Sequence, residues 1–161
     1  MSVTITIGEK FLNEETSPPI WDVRRVTSPY APKFPNDAIL DPEANWRFVN
    51  YPAWEGMAEE VGLVDLLIHP ETGLLRTSEV VLPVTEAMYR QIIEACLLRS
   101  AFAEGQAGWA LDEQDFDPLL GSLSFAPATQ YDEYYARLIW LRFWIRWALD
   151  NCEAPSVVVS W

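Results

Sequence analysis

The stretch from Tyr131 to Asn151, YDEYYARLIWLRFWIRWALDN, constrains the fold most, because it is long and apolar and contains neither glycine nor proline. A period of about 3.6 residues per turn predicts a helix with a narrow polar stripe. The apolar positions are Tyr134, Leu138, Trp140, Leu141, Phe143, Trp144, Ile145, Trp147, Ala148 and Leu149. The polar stripe consists of Asp132, Tyr135, Arg142, Arg146 and Asp150. A helix that is apolar around most of its circumference is normally covered on several sides, so we predict that it lies at the centre of the domain.

This helix is not predicted to span a membrane. Arg137, Arg142 and Arg146 interrupt the apolar run before it reaches the ~20 residues that a bilayer crossing requires. The amino-terminal region lacks a basic segment followed by an apolar one, so a signal peptide is not expected. We therefore expect a cytoplasmic protein with no membrane partner.

Length and local patterns predict one α+β domain over residues 1–161, with about three helices and a small, mostly antiparallel sheet. Besides the long carboxy-terminal helix, we predict helices at Pro52–Val61, ending at Gly62, and from Glu86 to about Ala103, capped by Thr85. The segment Leu63–His69 is either a short buried strand or a helical continuation. The predicted strands are Ser2–Ile7, Ile20–Val26, Leu74–Leu82 and Ser156–Trp161, the last able to pair with the first.

The charge balance constrains the partners. The chain has 24 acidic and 11 basic residues, which gives a net charge of -13. Such a field repels nucleic-acid phosphates and anionic lipids, so nucleic acid is not an expected partner. A basic protein surface is the favoured partner, although the same charge would also be explained by solubility alone.

The side chains that usually support catalysis or metal binding are sparse. His69 is the only histidine and precedes Pro70 in a turn, which is more typical of a surface residue than of a catalytic one. Arg99 falls on the inward face of its helix, where it either pairs with a carboxylate or binds an anion. The two cysteines, Cys96 and Cys152, are expected to be reduced. No nucleotide, redox or zinc motif occurs, so we predict no cofactor and no metal site.

The connection from Glu104 to Gln130 is the predicted contact surface. It is unusually long for a compact domain and contains no lysine or arginine. Its acidic run superficially resembles a calcium loop, but Pro118 stands where the sharp turn would need glycine. Carboxylates would steer a basic partner and aromatic rings would anchor it. The predicted binding residues are Trp109, Asp112, Glu113, Asp115, Phe116 and Asp117. The alternative is that the apolar members of this connection only attach it to the core.

Three functions from different classes are compatible with these observations. The first is an acidic protein-binding module, an inhibitor or immunity-type protein that neutralises its partner. The second is a small-molecule binding protein with a Trp-lined pocket between the last helix and the helix that begins at Pro52. The third is an enzyme that uses carboxylates or Arg99. The residues expected to line the pocket are Trp54, Trp140, Trp144 and Trp147.

Overall fold

The computed structural model describes residues 2–32, 43–75, 80–104 and 133–160. Within these ranges it contains four helices and a five-stranded antiparallel sheet, which confirms the predicted α+β class. The elements are β1 Ser2–Asn13, β2 Ile20–Val23, β3 Trp46–Asn50, α1 Tyr51–Val61, α2 Val64–Leu67, β4 Leu82–Pro83, α3 Glu86–Glu104, α4 Glu133–Asn151 and β5 Pro155–Ser160. That residues 1–161 form a single domain stays a prediction.

The long strand β1 organises the sheet. One of its edges pairs with β5 from Thr4 to Glu9, as the sequence predicted for the two ends of the chain. The opposite edge is divided, since β3 pairs with Ser2–Thr6 and β2 pairs with Lys10–Asn13. Strand β4 lies on the far side of β5.

Three strand predictions are wrong in extent, and one of them is the strand predicted over Ile20–Val26, which ends at Val23. The strand predicted to end at Ile7 continues to Asn13, because β5 pairs with Gly8 and Glu9 and β2 pairs with Lys10–Asn13. The strand predicted over Leu74–Leu82 is reduced to β4, and Leu74 and Leu75 instead form a buried turn. Residues 76–79 lie outside the described ranges. Strand β3 was not predicted at all.

The core lies between one face of the sheet and the helices. Alternate residues of β1 point to this face, namely Val3, Ile5 and Ile7, and α4 packs against them. The buried residues of α4 are Tyr135, Ala136, Leu138, Ile139, Trp140, Leu141, Phe143, Trp144, Ile145 and Ala148. Tyr135 was assigned to the polar stripe but is only 4% exposed. Its largely apolar ring gains from burial although the period groups it with charged residues.

The helix ends follow local chemistry. Helix α1 ends at Val61, and Gly62 lies just past its end as predicted, with a φ of 74° in the left-handed region that favours glycine. The Thr85 hydroxyl accepts the Met88 N–H at 3.3 Å, which confirms the predicted cap of α3. The segment Leu63–His69 takes the helical alternative, since α2 spans Val64–Leu67 and adds a fourth helix.

Ion pairs link α3 and α4. Arg146 on α4 forms two hydrogen bonds with Glu86 on α3, at 3.0 and 3.1 Å. It also forms a salt bridge of 2.7 Å with Asp150 on its own helix.

Both cysteines are free. Burial raises the pKa of Cys96 to about 12, and burial together with the negative charge of Glu9 raises the pKa of Cys152 to about 11.

Within the described part of the chain, none of the helices has the length and apolar character required to cross a bilayer. Cytoplasmic location and the lack of a nucleic-acid partner stay predictions.

Candidate binding groove

The contact surface predicted from the sequence cannot be placed. Its residues lie outside the described ranges: Trp109, Asp112, Glu113, Asp115, Phe116 and Asp117. Their role as binding residues therefore stays a prediction.

The tryptophans expected to line a pocket are core residues. Trp54, Trp140 and Trp144 are at most 1% exposed, and Trp147 packs edge-on against Trp144 with ring centroids 5.4 Å apart. Three of the four indoles therefore have no opening to solvent. The prediction of a Trp-lined pocket between α4 and α1 therefore loses its structural basis.

His69 and Arg99 both have structural roles. The His69 Nδ1 accepts the N–H groups of Glu71 and Thr72 at 3.3 Å each, which closes the turn after α2. The Arg99 Nη1 lies 2.6 Å from the Glu60 Oε1, and its guanidinium stacks on the Tyr134 ring at 5.1 Å. These contacts match the expected surface-turn histidine and carboxylate-paired arginine.

The described residues contain no group of three or more histidine, cysteine, aspartate or glutamate side chains placed to hold a metal ion. In the described ranges, no arrangement of side chains specifically favours the hypothesis of an enzyme that uses carboxylates.

A groove lies on the opposite face of the sheet. Thr6 of β1 and Val158 of β5 point to the face that turns away from α4, and both are buried at the floor of the groove. The groove encloses about 740 Å³ and is open to solvent. Its lining residues are Thr6, Lys10, Phe11, Pro19, Ile20, Trp21, Asp22, Val23, Arg24, Arg25, Val80, Val81, Val158, Val159 and Ser160. We refer to it as the sheet groove.

Three cations line the sheet groove, and each lies over an aromatic ring. The Lys10 Nζ is 4.5 Å from the centre of the Trp21 ring. The guanidinium of Arg24 is 4.5 Å from the Phe11 ring, and that of Arg25 is 5.1 Å from the Trp46 ring. Such contacts hold a cation in place while leaving its N–H groups free to bind an anion.

The cations of the groove differ from those on the helices. Among the described residues, no carboxylate lies within salt-bridge distance of Lys10, Arg24 or Arg25. On the helical side, in contrast, Arg99, Arg137 and Arg146 each pair with a carboxylate. The positive charge of the groove is thus not neutralised by a neighbouring side chain in this part of the chain.

One buried asparagine positions the arginines. Asn45 lies where the edge of β1 changes its partner from β3 to β2, and it is 0% exposed. Its Nδ2 donates to the carbonyls of Ile7 and Arg24, and its Oδ1 accepts the Val26 N–H, each at 2.8 Å. Gly8 makes room for this side chain, since a Cβ at position 8 would lie 2.9 Å from the Nδ2.

Only part of this site could be anticipated from the sequence. Arg24 and Arg25 are neighbours in the predicted strand Ile20–Val26, and in the structure they stack on different rings, although β2 ends at Val23. Lys10 could not be connected with them, because its neighbours depend on the register between β1 and β2.

Comparison of the chain with protein-family models, curated proteins and solved structures finds no match. The functional argument therefore depends on the geometry and charge of the described residues.

Proposed function

We propose that this protein is an acidic binding module, of the inhibitor or immunity type, which neutralises a partner by covering a basic surface of it. The net charge of -13 supports a basic partner, because a long-range attraction accelerates association between oppositely charged surfaces. The contact surface requires a local argument, since net charge alone does not say where a partner docks.

The observation that carries the proposal is a set of exposed carboxylates on α1, α2 and α3. Among the described residues, Glu55, Glu59, Asp65 and Glu94 are exposed and have no cation within salt-bridge distance. The salt bridge between Arg99 and Glu60 joins α1 and α3, so these carboxylates lie on neighbouring helices. These neighbouring helices therefore present uncompensated negative charge.

Exposed apolar side chains lie on the same helices. Val64 is 41% exposed, and Leu97 and Leu98 are 63% and 57% exposed. Leu97 shares the outer face of α3 with Glu94, because the two are three residues apart. Apolar anchors surrounded by charge are typical of protein interfaces. We call the four carboxylates and these three apolar residues the acidic helical surface.

The residues predicted in the Glu104–Gln130 connection form a second proposed contact. Trp109 and Phe116 would act as anchors, and Asp112, Glu113, Asp115 and Asp117 would supply charge. The experiment below treats this acidic connection and the acidic helical surface as separate arms.

The test combines identification of the partner with charge reversal. A basic protein recovered with the purified chain would be bound to it at increasing salt concentrations, and the association rate should fall as salt screens the attraction. Reversing Glu55 and Glu59 to lysine should slow association by about tenfold or more. The matched control reverses the exposed pair Glu14 and Glu15, which gives the same change in net charge elsewhere on the molecule.

The outcomes separate the two proposed contacts. If Glu55→Lys and Glu59→Lys slow association much more than the control pair does, the acidic helical surface contacts the partner. If only reversal at Asp112, Glu113, Asp115 and Asp117 does so, the acidic connection is the contact. Association that is indifferent to salt, or equally sensitive to all three reversals, would contradict a specific electrostatic contact and overturn the proposal.

A further inference from the structure

We propose that the sheet groove binds a small organic anion, whose negative group lies beside Lys10 and Arg25 and whose apolar body rests on Val158 and Trp21. This site is separate from the acidic helical surface and does not depend on the proposed function. It lies on the face of the sheet that turns away from α4.

The charge of the described lining favours an anion. It contains three cations and one carboxylate, that of Asp22. The Asp22 Oδ1 already accepts the Val23 N–H at 2.8 Å, so the backbone satisfies part of its hydrogen-bonding capacity. The stacked guanidinium group of Arg25 still has several N–H donors, and a planar guanidinium group matches carboxylate and phosphate oxygens.

The apolar surface beside the cations indicates that the ligand has an apolar or ring-containing body. Ile20, Trp21 and Val80 are 47%, 55% and 43% exposed, and all three line the groove. An inorganic anion would leave this surface in water, whereas an organic anion would cover it. The volume of about 740 Å³ is within the range of about 300–1,000 Å³ typical of small-molecule sites.

The overall charge limits the size of the ligand. At physiological salt, charges are screened over about 8 Å, so a ligand confined to the groove interacts mainly with the cations that line it. A long polyanion would extend beyond the groove and meet the field of a protein whose net charge is -13. The site therefore favours a small anion over a nucleic acid or an acidic protein.

Two fluorescent probes of nearly the same shape test the proposal. Anilinonaphthalene sulfonate carries rings and a negative group, and phenylnaphthylamine carries the same rings without the charge. Both would be titrated into the folded protein. The sulfonate should bind at least about tenfold more tightly, because a hydrogen bond between charged groups contributes roughly that factor.

Single substitutions assign the binding to the groove. Lys10→Gln and Arg25→Gln should each weaken sulfonate binding by about tenfold and leave phenylnaphthylamine binding nearly unchanged. Trp21→Ala should weaken the binding of both probes, because it removes an exposed ring and not a charge. Arg90→Gln on the exposed face of α3 is the matched control and should change neither affinity.

Near-ultraviolet circular dichroism would verify that each variant retains its packed core. If Arg25→Gln perturbs the contact with Trp46, Lys10→Gln tests the same loss of positive charge, because Lys10 stacks on a different ring. Equal affinity of the two probes for the wild-type protein would overturn the proposal. The proposal would also be overturned if Arg90→Gln weakened sulfonate binding as much as Lys10→Gln does.

Competition then identifies the negative group. Naphthoate and naphthyl phosphate, which differ in that group alone, would be used to displace the bound sulfonate. Displacement by either supports the proposal, and the stronger competitor shows whether a carboxylate or a phosphate fits better. If neither competes at millimolar concentration, the groove does not recognise a ring-bearing anion.

Discussion

Substitution of Asn45 by alanine should strongly destabilise the protein and displace the segment that carries the groove arginines. The side chain is 0% exposed and makes three hydrogen bonds of 2.8 Å, two as donor and one as acceptor. At about 1 kcal/mol for each hydrogen bond, the loss is about 3 kcal/mol, and it rises toward about 5 kcal/mol if the Ile7 carbonyl stays buried without a partner.

Urea unfolding followed by tryptophan fluorescence would measure the free energy of unfolding. The matched control is Asn151→Ala at the exposed end of α4, where the amide makes one hydrogen bond of 2.8 Å to the Trp147 carbonyl. This control should cost less than about 1 kcal/mol, because water can replace an exposed hydrogen bond. A loss for Asn45→Ala no larger than that of the control would refute the argument.

A double-mutant cycle gives a second and more specific check. Gly8→Ala should be destabilising alone, because its Cβ would approach the Asn45 Nδ2 to 2.9 Å. In the Asn45→Ala background that contact is removed, so the cost of the new methyl group should be smaller. Strictly additive losses would show that the Asn45 amide does not occupy this position.

Two further predictions concern the helices and the thiols. Because burial raises the pKa of Cys96 to about 12 and that of Cys152 to about 11, both thiols should react slowly with Ellman's reagent at neutral pH and rapidly after unfolding in urea. An unfolded thiol has a pKa of about 8.5. The contribution of the two buried thiols to the free energy of unfolding should therefore be complete below that pH, and it should be lost as the pH rises through the folded-state pKa values. Urea titrations at several pH values would measure this loss. Arg146→Met should cost about 1 kcal/mol of unfolding free energy, with part of the loss removed by salt, because its carboxylate partners are largely exposed. Arg90→Met on α3, which should cost less than about 0.5 kcal/mol, is the control in the same unfolding assay.

The parts of the fold that could be predicted from the sequence depend on local signals. The cap at Thr85 and the left-handed Gly62 are set by residues within one helical turn, and both are observed. The β-branched runs at the two ends of the chain also predicted β1 and β5 and their antiparallel pairing.

The parts that could not be predicted depend on contacts distant in sequence. Strand β3, Trp46–Asn50, contains the strand-favouring residues Trp46, Phe48 and Val49, but it is short and lies directly before a helix, so its pairing with β1 was not evident from the sequence. The continuation of β1 to Asn13 has the same cause, since β2 pairs there. The burial and hydrogen bonding of the Asn45 amide could not be predicted from the sequence, because its three hydrogen-bonding partners lie in other segments.

The sheet groove was missed for a related reason. Lys10 lies well before Arg24 and Arg25 in the chain, and only the register between β1 and β2 brings them to one concavity. The sequence also directed attention to the acidic side chains, since a net charge of -13 sums over the whole surface and hides a local cluster of cations.

The separation of charge makes the two proposals independently testable in one variant. Lys10→Gln removes one positive charge, so the protein becomes one unit more negative than its present -13. Association with a basic partner should then stay the same or become slightly faster, because the long-range attraction increases. Binding of the organic sulfonate should weaken about tenfold in the same protein, because a local contact is lost. Opposite responses of this kind require two separate surfaces, whereas a shared surface would make both interactions weaker together.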